Sequence, residues 1–131
     1  MADNSAVTFA YDSLGRVIEE TQKLGVFPPR TISSAWRGEH SRNSLTYPNG
    51  RVLNFTYDRL DRLNTVTDQG AAQPIADYDY IGVGRVLQRL SPINGTRETF
   101  LDDDGTSDIG YDGLRRPVLL RHLRDDNANS L

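Results

Sequence analysis

The side chains equipped for covalent or metal chemistry in this chain are few. There are two histidines and no cysteine, which excludes disulfides, Cys-based zinc sites and thiol catalysis. His40 stands in the polar turn 37–43, and His122 stands between Arg121 and Leu123. Neither lies in a Gly-x-Ser-x-Gly, a His-Glu-x-x-His or a paired-carboxylate frame of the kind that activates a nucleophile or a metal-bound water. Gly82-Val83-Gly84 is too short for a phosphate loop and has no helix signal behind it, so it reads as a hairpin turn. On these residues the expectation is that the chain is not an enzyme.

One segment has the ligand types for a cation. Asp102, Asp104 and Asp108 surround Gly105 in an Asp-x-Asp-Gly-x-x-Asp order. Calcium takes six to eight oxygens, and close carboxylates around a tight turn supply several. No glutamate follows at the distance that completes an EF-hand loop. A solvated acidic loop is therefore the favoured reading, with calcium the only cofactor kept in view. Asn54-Phe55-Thr56 and Asn94-Gly95-Thr96 match the acceptor pattern for N-glycosylation, at Asn54 and Asn94.

The elements that carry these residues are repeats. Tyr11-Asp12-Ser13-Leu14-Gly15-Arg16-Val17 recurs as Tyr57-Asp58-Arg59-Leu60-Asp61-Arg62-Leu63, as Tyr80-Ile81-Gly82-Val83-Gly84-Arg85-Val86 and as Tyr111-Asp112-Gly113-Leu114-Arg115-Arg116-Pro117. Five residues after each tyrosine stands an arginine, and three after stands Leu14, Leu60, Val83 or Leu114. Two before stands Phe9, Phe55, Tyr78 or Ile109. Four columns agreeing in four copies mark a repeat architecture.

Each copy has the chemistry of a β-hairpin. Aromatics two apart face one side of a strand. Asp12, Asp58 and Asp112 favour a turn through bonds to backbone amides two residues on. Gly15 and Gly84 are the expected positive-φ positions. In the copy that has Arg115 at this column, Gly113 is expected to take the special dihedral instead. Pro117 removes a ladder donor and suits an edge or a strand start. Asn49-Gly50 and Asn94-Gly95 are further hairpin signals. Trp36 alternates with Ser34 and is expected in the core or on a sheet face. The tyrosine intervals of 46, 23 and 31 residues follow no strict period.

The expected fold is all-β, an antiparallel curved sheet of hairpins with eight to ten short strands and little or no helix. It would occupy residues 7–124, between polar tails at 1–6 and 125–131. The 131 residues allow one domain, and 37% hydrophobic content implies a thin core or one shared with neighbouring chain. Fifteen basic and eighteen acidic residues are interleaved, so no basic face for nucleic acid is visible. No apolar run nears the roughly 20 residues of a membrane helix.

The Tyr-Asp-x-Leu-Gly-Arg-Val unit and its copies resemble the YD repeats of RHS proteins, which also build the shells of toxin-complex C components and teneurins. The resemblance covers roughly residues 7–124 and includes the Tyr-Pro-Asn-Gly-Arg hairpin at 47–51. It implies a spiralling antiparallel sheet, a secreted or cell-surface location, and a structural role: part of a shell that encloses a toxin domain, or of an adhesion scaffold. The family's self-cleaving Asp-Pro-x-Gly motif has no counterpart here, because the chain has no Asp-Pro dipeptide. Expected partners are further YD-repeat chain, or copies of this chain, joined through sheet edges. The alternative is a β module whose Tyr, Asp and Arg rows bind surface glycans.

Overall fold

The computed structural model describes residues 4–102, 107 and 110–124. It holds ten antiparallel strands: β1 (Ala6–Tyr11), β2 (Val17–Lys23), β3 (Arg30–Arg37), β4 (Ser41–Thr46), β5 (Val52–Tyr57), β6 (Leu63–Asp68), β7 (Ala76–Ile81), β8 (Arg85–Ser91), β9 (Thr96–Thr99) and β10 (Arg121–Arg124). They lie in a single sheet in chain order. The only helical piece among the described residues is a one-turn 3-10 segment, Pro92–Asn94, closed by Gly95 in the left-handed region. The all-β antiparallel expectation holds. The chain divides into two compact units, Met1–Phe55 and Thr56–Leu131.

The sheet carries no apolar core of the usual kind. Among the described residues no hydrophobic side chain is buried; only Thr99 and Gly110 are. Strand burial patterns run intermediate and exposed, as along β5 and β7. A domain ordinarily packs one layer on another to bury its apolar face. Here the strands are held by ladder hydrogen bonds and by side chains clamped over the hairpin ends.

The Asp-bearing turns are built alike. In each, the Asp amide and the Arg carbonyl four residues on pair at about the ladder distance: 3.0 Å at Asp12, 2.9 Å at Asp58 and 3.0 Å at Asp112. The residue before the Arg takes positive φ, which is 75° at Gly15, 57° at Asp61 and 67° at Arg115. This corrects the expectation for the last of them: Gly113 stays in ordinary space and Arg115 carries the left-handed dihedral. The backbone pairing and the Asp carboxylate determine the turn, and the side chain at this column must accept it. A left-handed non-glycine residue costs roughly 1–2 kcal/mol. Arg115→Gly should therefore stabilise the chain by about 1 kcal/mol, read as a higher urea midpoint at fixed protein concentration; an unchanged or lower midpoint would count against it.

The Tyr80 turn follows another plan. Positive φ falls on Gly82, at 61°, and not on Gly84, which corrects that assignment too. Gly38 sits at the same distance from Trp36 as Gly82 from Tyr80, and its φ is 60°. The register agrees. Tyr11 pairs with Val17, Trp36 with Arg42, Tyr80 with Val86 and Tyr111 with Pro117, each six residues on. The ladder shifts just before the aromatic in three of them, at Ala10/Tyr11, Ala35/Trp36 and Asp79/Tyr80.

Trp36 thus heads a fifth hairpin that the tyrosine frame did not reveal. With it, the heads stand 25, 21, 23 and 31 residues apart. The last interval is long because an insertion separates β9 from Tyr111. Gly110 reconnects to β9 by donating to the Phe100 carbonyl at 2.8 Å. Phe100 then stacks on Tyr111 at 4.4 Å between centroids, in the role that Phe9 and Tyr78 play beside Tyr11 and Tyr80 at 6.5 Å. Ile109, expected in that role, lies outside the described residues, as do Asp104, Asp108 and the tail 125–131.

Candidate functional site: the Asp–Arg–aromatic relay

Each Asp turn is locked by one carboxylate. Asp12 Oδ1 accepts from the amides of Leu14 at 2.9 Å and Arg16 at 3.0 Å. Its Oδ2 accepts from Arg16 Nε at 2.7 Å and Nη2 at 2.6 Å. Asp58 does the same with Leu60 and Arg62, at 2.8, 3.0, 2.7 and 2.6 Å. Asp112 does it with Leu114 and Arg116, at 2.9, 2.9, 2.7 and 2.7 Å. The leucine column has its value in its amide. The side chains of Leu14, Leu60 and Leu114 stand out into solvent, 64%, 61% and 75% exposed.

The arginine then reaches the neighbouring hairpin. Arg16 Nη1 donates to the carbonyls of Gly38 and Glu39. Arg62 Nη1 donates to those of Gly82 at 2.7 Å and Val83 at 3.2 Å. The accepting carbonyls belong to the left-handed glycine and the residue after it, so each of these arginines joins an Asp turn to a Gly turn. In chain order they alternate, with the Asp turns after Tyr11, Tyr57 and Tyr111 and the Gly turns after Trp36 and Tyr80. Ile81 replaces the Asp in a turn that does not use a carboxylate clamp.

The aromatic head completes the relay in the opposite direction. Trp36 Nε1 donates to the Val17 carbonyl at 2.9 Å, the Tyr80 hydroxyl to Leu63 at 2.7 Å and the Tyr111 hydroxyl to Val86 at 2.6 Å. Each acceptor is the residue after the arginine column. Guanidinium groups stand over the same rings: Arg16 and Arg42 over Trp36 at 5.5 and 5.2 Å, Arg62 over Tyr80 at 4.2 Å and Arg85 over Tyr111 at 5.0 Å. Cation–π contacts of this type contribute roughly 0.5–1 kcal/mol each where exposed.

The clamps make the fold sensitive to acid. Bonds from the arginine side chain hold the Asp12 and Asp58 carboxyls below the usual carboxylate range; at Asp112 the Arg116 amide contributes most, then its side chain. A carboxyl whose folded pKa is depressed stabilises the fold above its unfolded value and loses that contribution as pH falls through the folded value. Asp77 is shifted the other way, by burial and then by Asp79, so it opposes folding once ionised and is relieved in acid. Among the described residues three carboxyls are depressed and one is raised, so the melting temperature should be flat from about pH 5 to neutrality and fall below about pH 4. The triple variant Asp12→Asn, Asp58→Asn, Asp112→Asn should lose most of that acid slope in circular-dichroism melts; an undiminished slope would assign it elsewhere.

The other candidates are dispersed. His40 Nε2 lies 3.7 Å from Glu39, both highly exposed. His122 Nδ1 lies 3.6 Å from Glu98 Oε1, which Arg89 also pairs at 2.9 Å. Asp102 accepts from the Ser107 amide at 3.2 Å. Among the described residues no three His, Asp or Glu side chains come together. Asn54 is exposed on β5, and the Asn94 side-chain amide donates to Ser91 Oγ at 3.2 Å. No protein-family model and no curated protein matches this chain.

Proposed function

We infer that this chain is a structural segment of a β-repeat scaffold of the RHS/YD-repeat type, a stretch of sheet wall and not a catalyst. The observation that carries this is the sheet with no buried apolar side chain among the described residues, with neighbouring hairpins inside each compact unit tied by the Asp–Arg–aromatic relay. Such a wall suits a secreted or cell-surface shell, around a toxin domain or beneath adhesion modules. Its natural neighbours are more chain of the same kind, because a strand at the end of a sheet exposes unpaired backbone groups.

The glycan-binding reading has less support. Sugars stack on open aromatic faces, whereas guanidinium groups stand over Trp36, Tyr80 and Tyr111. Sedimentation velocity across a concentration series, combined with calorimetry against uronic-acid polymers, separates the two. The scaffold reading expects association that grows with concentration, a melting temperature that rises with it, and no glycan heat. A monomer with a concentration-independent melt, or one that binds the polymers, would overturn it.

A further inference from the structure

The relay has an unfilled half at each of two places. Tyr11 heads the first of the five hairpins, and its hydroxyl has no hydrogen-bond partner among the described residues. Tyr11 is 58% exposed, and among the described residues its one aromatic contact is Phe9. Three of the other heads, Trp36, Tyr80 and Tyr111, each donate to a carbonyl one residue past an arginine and lie beneath a guanidinium. Arg116 closes the last of the five. Its side chain is 72% exposed, against 20% for Arg16 and 21% for Arg62. It makes its own Asp clamp, but among the described residues it stands over no ring and donates to no neighbouring turn.

We propose that these halves are complementary sites for a second copy of this chain, with Tyr11 of one copy under Arg116 of the next and its hydroxyl donating to the Pro117 carbonyl. This rests on the scaffold reading and goes beyond it by naming the contact and the register. The other inter-hairpin ladders give that register. Glu19 opposite Ser33 and Thr65 opposite Asp77 are each three past an arginine and three before a head. The same rule puts Leu119 of one copy opposite Thr8 of the next, and Leu120 opposite Val7. Both edges carry exposed apolar side chains to cover: Val7 and Phe9 on β1, and Val118, Leu119 and Leu120 before β10. The contact is head-to-tail, so each copy keeps one free edge and the assembly propagates unless its rotation closes a ring.

Two measurements test it. Tyr11→Ala should weaken association roughly tenfold, as loss of a cation–π contact and a hydrogen bond implies, with the far-UV spectrum unchanged. Tyr11→Phe, which keeps the ring, should weaken it several-fold. Because the chain has no cysteine, mixing Thr8→Cys with Leu119→Cys under mild oxidation reports the register. Cross-linked dimers are expected from this pair and not from Thr8→Cys with His122→Cys. Association that ignores Tyr11 and gives no preference between the two pairs would overturn this contact while leaving the scaffold reading standing. A monomeric parent chain would overturn both.

Discussion

Gly110→Ala should be the most damaging methyl group that can be added to this chain, costing about 3 kcal/mol or more. Gly110 is buried. A Cβ there would lie 2.5 Å from Phe100 Cβ and 2.6 Å from both the Leu119 carbonyl oxygen and Phe100 Cδ1. Real atoms do not approach so closely, and one of the three is backbone. The neighbours cannot yield cheaply. The Gly110 amide donates to Phe100, and its carbonyl accepts from Val118 at 2.8 Å and Leu119 at 3.3 Å. Moving it therefore breaks the join between β9 and the last hairpin and separates the stacked Phe100 and Tyr111 rings. Overpacking typically costs 1–3 kcal/mol and occasionally more, and this site adds lost backbone bonds. Gly113→Ala is the control. It has nothing within 4 Å and ordinary φ, so it should change the urea midpoint little. Equal effects of the two substitutions would show that the close approach at Gly110 is not what holds the hairpin.

Much of this architecture was legible because its devices are local. The Asp of Tyr-Asp binds amides two and four residues on, within reach of any reading of the turn, and the arginine column follows from the same loop. Strand type was legible from paired aromatics and β-branched runs. Three things were hidden. Trp36 was hidden by its chemical identity: an indole N–H does the work of a phenol O–H, so a frame anchored on tyrosine passed over it and reported a gap of 46 residues. The role of Gly110 was hidden because it depends on Phe100, brought next to it across an insertion that no local pattern spans. The exchange of glycine positions, Gly82 for Gly84, was hidden because both residues can take positive φ and the choice depends on which carbonyls Arg62 must meet. A signal for Trp36 did exist: Gly38 follows it at the spacing of Gly82 from Tyr80.

That equivalence makes Trp36 the sharpest test of the relay. Trp36→Ala should cost about 2–3 kcal/mol. It removes the Nε1 hydrogen bond to Val17 at 2.9 Å, worth roughly 0.5–1.5 kcal/mol, and the ring beneath Arg16 and Arg42, at roughly 0.5–1 kcal/mol for each guanidinium. Trp36→Phe keeps a ring without a donor and should cost about 1 kcal/mol, the share of the hydrogen bond. Trp36→Tyr restores a donor in the form used at Tyr80 and Tyr111, whose hydroxyls reach the equivalent carbonyls at 2.7 and 2.6 Å. It should therefore be the mildest of the three. Ordinary packing predicts another order, because phenylalanine and tyrosine fill nearly the same volume and should then cost the same. Urea midpoints at one protein concentration decide between them. A tyrosine variant no better than phenylalanine would mean that the donor at this column contributes nothing, and that Trp36 is a sheet-face residue and not the head of a fifth repeat. The expected order, Tyr milder than Phe and Phe milder than Ala, would establish that the column selects a ring with a polar hydrogen at its far edge, the one property that tryptophan and tyrosine share here.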